Sequence, residues 1–210
     1  MAKLFLLTSL FALFFLGCRS AMESDIRLYL LEYPGETEYP ADDIPDLNLT
    51  AEKSCKISFV EIHPAFGTHK IAIREGSHEI RYFSYNQWAV RPGQSLSLIL
   101  TDFFRKSNLF EKIIPATEKG KADYTFETYI PRLEVVRNGK KYKAHIETEF
   151  RLINNHLGTT VLEQRSVNIN ELDERCLNLF SSEISSMFTR ELHNFTLEII
   201  DELTDTGLSK

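Results

Sequence analysis

The chain has 210 residues, 43% of them hydrophobic and 26% charged, with a formal net charge of -6 at neutral pH. This length implies one domain with room for an appendage, and the Phe-rich apolar fraction is enough for a sizeable core. The acidic balance, with no basic concentration behind it, argues against nucleic acid as a partner.

The N-terminus is set apart. Lys3 is followed by an apolar run from Leu4 to Leu16, interrupted only by the hydroxyls of Thr8 and Ser9, and closed by Gly17-Cys18. A spanning helix wants about 20 apolar residues, so this run is too short to cross a bilayer comfortably. It has the form of the h-region of a secretory signal peptide, with a small residue before the cut. Two readings of Cys18 follow. It is either an incidental residue after a plain signal peptide, or the lipidated residue of a bacterial lipobox, which Phe15-Leu16-Gly17-Cys18 resembles. Phe15 stands where that motif usually has Leu. On the second reading residues 1–17 are the signal peptide, 18–25 a lipidated tether and 26–204 a single domain, with 205–210 a frayed tail. Arg19 rather than Asp after the cysteine, by resemblance to Gram-negative lipoproteins, directs the protein to the outer membrane with its domain facing the periplasm.

Within the domain, Ile26 to Tyr33 is a compact apolar strand closed by Pro34-Gly35. Glu36 to Glu52 is acidic, carries Pro40 and Pro45, and reads as a surface loop. Cys55 to His63 alternates as a second strand, with Ile57, Phe59 and Glu61 set against Ser58, Val60 and Ile62. Ile71–Arg74 and Glu79–Phe83 form a hairpin across Glu75-Gly76-Ser77. Past Trp88, the step Arg91-Pro92-Gly93 ends the extended run, because proline lacks an N–H and pushes its predecessor out of the α region. From Gln94 the period becomes helical: Leu96, Ile99, Leu100, Phe103 and Phe104 share one face. Ser107-Asn108 stops that helix, and Phe110 to Pro115 is a short strand. Tyr124, Phe126, Thr128 and Ile130 alternate up to Pro131, which marks a bulge or an edge. Leu133, Val135 and Val136 resume before Asn138-Gly139, the signal of a type I′ hairpin. Ala144 to Leu152 then alternates a buried row against a wet row of His145, Glu147, Glu149 and Arg151. Asn154 to Gly158 turns the chain, and Thr160 to Ile169 completes an antiparallel meander. The last element is a helix over roughly Leu172 to Leu203, capped by Asn170 with Asp173. Its stripe runs from Leu177 through Phe188 to Leu203; the first half belongs to the core and the last two turns project.

The sequence holds little that carries chemistry. His63, His69 and His78 match no common zinc spacing. His145-Ile146-Glu147 looks like half of a deaminase zinc motif, yet no Pro-Cys-x-x-Cys follows. No nucleophile elbow, phosphate-cradling loop or dinucleotide fingerprint occurs, so neither an enzyme nor a cofactor is expected. Cys55 and Cys176 either remain as buried thiols or pair in an oxidising compartment. Trp88 has two open roles, an anchor of the core or, with Tyr85, a contact for a subunit or partner.

Several segments together resemble one family, the ABC-type transport auxiliary lipoproteins, which includes the outer-membrane lipoprotein of the Pqi (paraquat-inducible) system. Arg27-Leu28-Tyr29-Leu30-Leu31 is similar to the family's opening Tyr-x-Leu strand. His63-Pro64-Ala65-Phe66 through Ile71-Ala72-Ile73-Arg74 is similar to its proline-led turn and following strand. Tyr85-Asn86-Gln87-Trp88-Ala89, then Pro92 and the helix to Phe104, is the best match, although Val90-Arg91-Pro92 replaces the usual acidic-proline step. The resemblance implies an α/β (α+β) fold: a mixed, largely antiparallel sheet with two main amphipathic helices on one face. It also implies a non-catalytic part in lipid or hydrophobic-molecule transport beside an ABC permease and ATPase and an MCE-type periplasmic protein. A homo-oligomeric ring is one form this takes. A structural or assembly lipoprotein that stabilises an envelope complex without handling cargo is the alternative.

Overall fold

The computed structural model of the protein describes residues 25–33, 51–173 and 176–205, with the backbone alone at 51, 52 and 205. The described elements are, in chain order, β1 (Arg27–Tyr29), β2 (Ala51–Ile57), β3 (Glu61–Ile62), β4 (Lys70–Arg74), β5 (Ile80–Trp88) and helix α1 (Pro92–Ser107). Then follow β6 (Phe110–Ile114), β7 (Tyr124–Asn138), β8 (Lys141–Asn154), β9 (Thr159–Leu172) and helix α2 (Leu177–Asp205). The sheet is built on β7. One edge of β7 pairs antiparallel with β8 from Tyr124↔Asn154 to Asn138↔Lys141. The other edge takes three parallel strands in succession: β2 at Tyr124–Phe126, β3 at Tyr129–Ile130 and β4 at Val135–Val136. From there the sheet forks. β4 leads to β5 and β1, while β2 leads to β6. β9 closes the meander on β8. The sheet is therefore mixed, with the long ladders antiparallel and the short ones parallel.

Both helices cover the same face. Phe126 on β7 meets Phe104 of α1 with ring centroids 4.7 Å apart and Phe195 of α2 at 5.8 Å. Phe150 on β8 meets Phe188 and Phe195 at 5.8 and 5.6 Å. The expected stripe of α1, Leu96, Ile99, Leu100, Phe103 and Phe104, is buried throughout. Pro92 opens this helix at its first turn, where a missing N–H costs nothing. The next residue has to be small: a Cβ on Gly93 would come within 3.0 Å of the Val60 carbonyl oxygen. Asn108 ends α1 in the left-handed conformation, at φ 49°. Pro131 falls where the β7–β8 register slips between Tyr129 and Arg132, which is the bulge the sequence implied.

Several boundaries differ from the sequence expectation. β1 is three residues long, not eight, because Leu30 to Tyr33 leaves the ladder beside the turn that leads into α1. The strand placed at Cys55–His63 begins at Ala51 and is broken after Ile57. Ser58 N–H still bonds Phe126 O and His63 N–H bonds Ile130 O, so both pieces follow the same edge of β7. Between them Val60 N–H bonds Ser97 Oγ on α1, and Phe59 turns out to solvent, 59% exposed, against the alternation. The β7–β8 hairpin has Gly139 and Lys140 at its centre, and only the glycine has positive φ. That is the pattern of a type II′ turn, not I′. β9 extends to Leu172, so α2 starts at Leu177, and Asn170 is not its cap: its side-chain amide donates to Glu183 Oε2 at 2.8 Å. The end of α2 does not project. Ile199, Ile200 and Leu203 are buried with the rest of the stripe. Cys55 and Cys176 are both free thiols, Cys55 fully buried. None of the described helices is long and apolar enough to cross a membrane.

Candidate functional site

Three of the residues singled out by sequence have distinct places. Cys18 lies outside the described residues, which begin at Asp25. Trp88 ends β5 and is 2% exposed, packed 5.8 Å from the Phe180 ring of α2, so its indole belongs to the core and offers no face to a partner. Tyr85, three residues earlier on β5, is 56% exposed. The three histidines hold separate local bonds. His63 Nδ1 accepts from Ala65 N–H, His69 Nδ1 lies 3.0 Å from Trp88 O, and His78 Nδ1 lies 2.7 Å from Ser77 Oγ.

One constellation was invisible in the sequence. Ser54 on β2, Asp123 just before β7 and His156 in the β8–β9 turn come together although 69 and 33 residues separate them from the aspartate. These are the side chains of a hydrolase triad, wired in the wrong order. A triad needs the imidazole beside the hydroxyl so that it can take the proton. Here the carboxylate sits between them. Ser54 Oγ donates to Asp123 Oδ2 at 2.7 Å, and His156 Nε2 is 2.8 Å from Oδ1. Ser54 N–H also donates to Oδ2, and Asn155 N–H donates to Asp123 O. The group is a clasp that ties β2, β7 and the β8–β9 turn together.

The His156 contact, followed by the two Ser54 hydrogen bonds, holds the Asp123 carboxyl well below the usual carboxylate range. A carboxyl depressed in the folded state stabilises fully above its unfolded pKa, about 3.9, and loses that contribution as pH falls through the folded value. Urea titrations are therefore expected to show the native chain losing more stability than Asp123→Asn between about pH 6 and about pH 3. Equal losses would mean the clasp is not ionic.

The face of the meander away from the helices carries a second cluster. His145 and Glu147, expected on the wet row, are 5% and 8% exposed, and Glu134 is fully buried. Arg74 Nε donates to Glu134 Oε1 at 2.7 Å. His145 lies between two carboxylates, 3.7 Å from Glu134 and 3.4 Å from Glu147. Arg132 and Arg165 close on Glu147 from the outside. Burial opposes ionisation of Glu134, but His145 and Arg74 outweigh it and hold the carboxyl below its usual range. The cluster is charge-compensated, and no group of three or more acidic, His or Cys side chains among the described residues is arranged to hold a metal.

Among the described strands, open edges remain where the arms of the sheet end, at β9, β1 and β6. β9, fourteen residues long, pairs only with β8 among the described strands and turns Val167 and Ile169 outward, 57% and 50% exposed. Between Leu162 and Leu172 its inward row is polar, Gln164, Ser166, Asn168 and Asn170, and is held to α2 by hydrogen bonds, such as Arg190 to Asn168 at 2.8 Å. β1 and β6 end the other two arms of the sheet. These features suit contact with other molecules better than chemistry.

The sequence profile described as "ABC-type transport auxiliary lipoprotein component" matches residues 29–173, from β1 to the end of the meander. The chain belongs to this family. The ABC-type transport auxiliary lipoproteins are a class of auxiliary components rather than a class of enzymes. Among solved structures, this auxiliary lipoprotein is similar to a crystal structure from Xanthomonas campestris, with 11% identity and a TM-score of 0.68, over 87% of this chain and 97% of that one. A crystal structure of an uncharacterized protein is similar at 11% identity and a TM-score of 0.65, over 83% of this chain and 99% of that one. At such identities the likeness speaks for the fold alone. No curated protein matches the sequence.

Proposed function

We propose that this auxiliary lipoprotein is a non-catalytic, lipid-anchored component of an ABC/MCE-type envelope system. It is held by an acylated Cys18 to the periplasmic face of the outer membrane. There it docks the transport machinery for lipid or other hydrophobic cargo. Family membership over the whole sheet carries this reading. Physical support comes from the surface: open strand edges and exposed apolar side chains are features by which a protein receives other chains. A ring of identical subunits is one arrangement such edges allow.

Crosslinking in intact cells, followed by recovery of a tagged chain, is expected to bring down an MCE-domain protein together with ABC permease or ATPase subunits. The Cys18→Ala chain is expected to leave the membrane fraction and lose that recovery. Repeated recovery of unrelated envelope proteins alone would replace docking with the assembly role. A Cys18→Ala chain that stays in the membrane and keeps a lipid label would remove the anchor.

A further inference from the structure

The first described strand has an unusual outward row. Along β1 and the residues that flank it, Ile26 to Leu31, Leu31 turns into the core, 4% exposed, and Tyr29 toward Asn86, whose side-chain oxygen accepts from the tyrosine hydroxyl at 3.1 Å. The opposite row is Ile26, Leu28 and Leu30, which are 55%, 63% and 44% exposed. On a sheet with one wet face that row should be polar. β1 runs parallel to β5 in the register Arg27↔Asn86 and Leu28↔Gln87, so one step back sets Ile26 beside the exposed Tyr85. One strand further on, Lys70 pairs with Gln87 and is exposed. Aliphatic side chains with a tyrosine and a lysine at the margin make a surface suited to the boundary between acyl chains and head groups.

The position of this row in the chain says what covers it. Ile26 is eight residues from Cys18. At roughly 3.3–3.6 Å per residue, even a fully extended link reaches no more than about 30 Å. An anchored chain therefore keeps β1 beside the bilayer at high effective concentration, where a patch too small to bind membrane alone becomes occupied. A second protein strand is the poorer occupant, since three residues of edge make few ladder bonds and fourteen are open on β9.

We infer that the outward row of β1 and its flanks, Leu28 with Ile26, Leu30 and the neighbouring Tyr85, lies on the lipid surface and fixes how the domain stands on its membrane. This rests on the Cys18 anchor proposed above. The test uses the full chain in bacterial membranes, with the photo-crosslinking residue benzoylphenylalanine in place of Leu28. A control carries it in place of Asp102, exposed on α1 across the sheet. After irradiation, mass spectrometry reads phospholipid adducts, and the acyl label on Cys18 is measured in the same sample. Severalfold more phospholipid adduct at 28 than at 102 is expected. Adducts at 28 to a second copy or another protein, no adduct, or equal adducts at both positions would each overturn the placement while the acyl label stands. A chain without the acyl label and without adducts would show that the anchor reading itself has failed.

Discussion

Replacing Phe126 with alanine is expected to lower the unfolding free energy by about 3–5 kcal/mol, the range for deleting a buried aromatic side chain. The size of the effect follows from position. Phe126 is fully buried on β7 and touches Phe104 of α1, Phe195 of α2 and Phe150 of β8. Its ring is shared by both helices and the sheet, so the cavity left by alanine is lined by elements that cannot all close on it at once. Lost edge-to-face contacts add to the transfer cost, each worth about 0.5–1.5 kcal/mol beyond burial. Phe126→Leu keeps most of the volume and should lose distinctly less. Phe59→Ala, at a side chain more than half exposed, should stay within about 0.5 kcal/mol of the native chain. Chemical denaturation of the three variants reads the order directly. A Phe126→Ala midpoint equal to that of Phe59→Ala would show that the helices do not depend on this ring.

The same residues explain which parts of the fold were legible. Where one period governs a segment, the sequence was enough. The stripe of α1, the stripe of α2, the β4–β5 hairpin and the three strands of the meander all follow from apolar spacing. Pro131 announced its bulge because a missing N–H cannot be placed in a regular ladder. What failed depended on contacts from distant chain. Phe59 keeps the β alternation in sequence, but the backbone there is turned by the Val60–Ser97 hydrogen bond to a helix that begins only at Pro92. Asn170 looked like a helix cap because its partner Glu183 is not a neighbour in sequence. Ser54, Asp123 and His156 meet because β2 and β8 flank β7 at Tyr124. β1 misled differently. Its run IRLYLLEY reads as one compact apolar strand, and only the structure separates the inward Leu31 from the outward Leu28.

The first half of the wet row of β8, His145 and Glu147, is the failure with the largest energetic consequence, and it gives the second strong expectation. Glu134→Ala should cost about 3–5 kcal/mol, as expected for breaking a buried ion pair from one side. For a chain of this size each kcal/mol shifts the melting temperature by about 2–4 °C, so a drop of roughly 6–20 °C is expected. The reason lies in what stays behind. Glu134 is fully buried, and Arg74, its partner at 2.7 Å, has only 15% of its side chain exposed. Without the carboxylate, the guanidinium remains in a poorly solvated place with less countercharge. Arg165, 63% exposed at the rim of the same cluster, is a different case. Its ion pairs with Glu147 and Glu149 are solvent-screened, and Arg165→Ala should cost no more than about 1 kcal/mol. Removing both central charges tests the mechanism more sharply. Arg74→Met with Glu134→Leu should recover much of the loss, because the single substitution is costly through the charge it leaves unpaired. The dependence on pH has a fixed sign as well. The Glu134 carboxyl lies below its usual value in the folded state, so its contribution is complete above the unfolded pKa of about 4.3 and falls away as pH drops through the folded value. The native chain should therefore converge on Glu134→Ala in acid. A Glu134→Ala melting temperature within about 2 °C of the native one at neutral pH would mean that the cluster is solvated and that β8 keeps the wet row its sequence suggests.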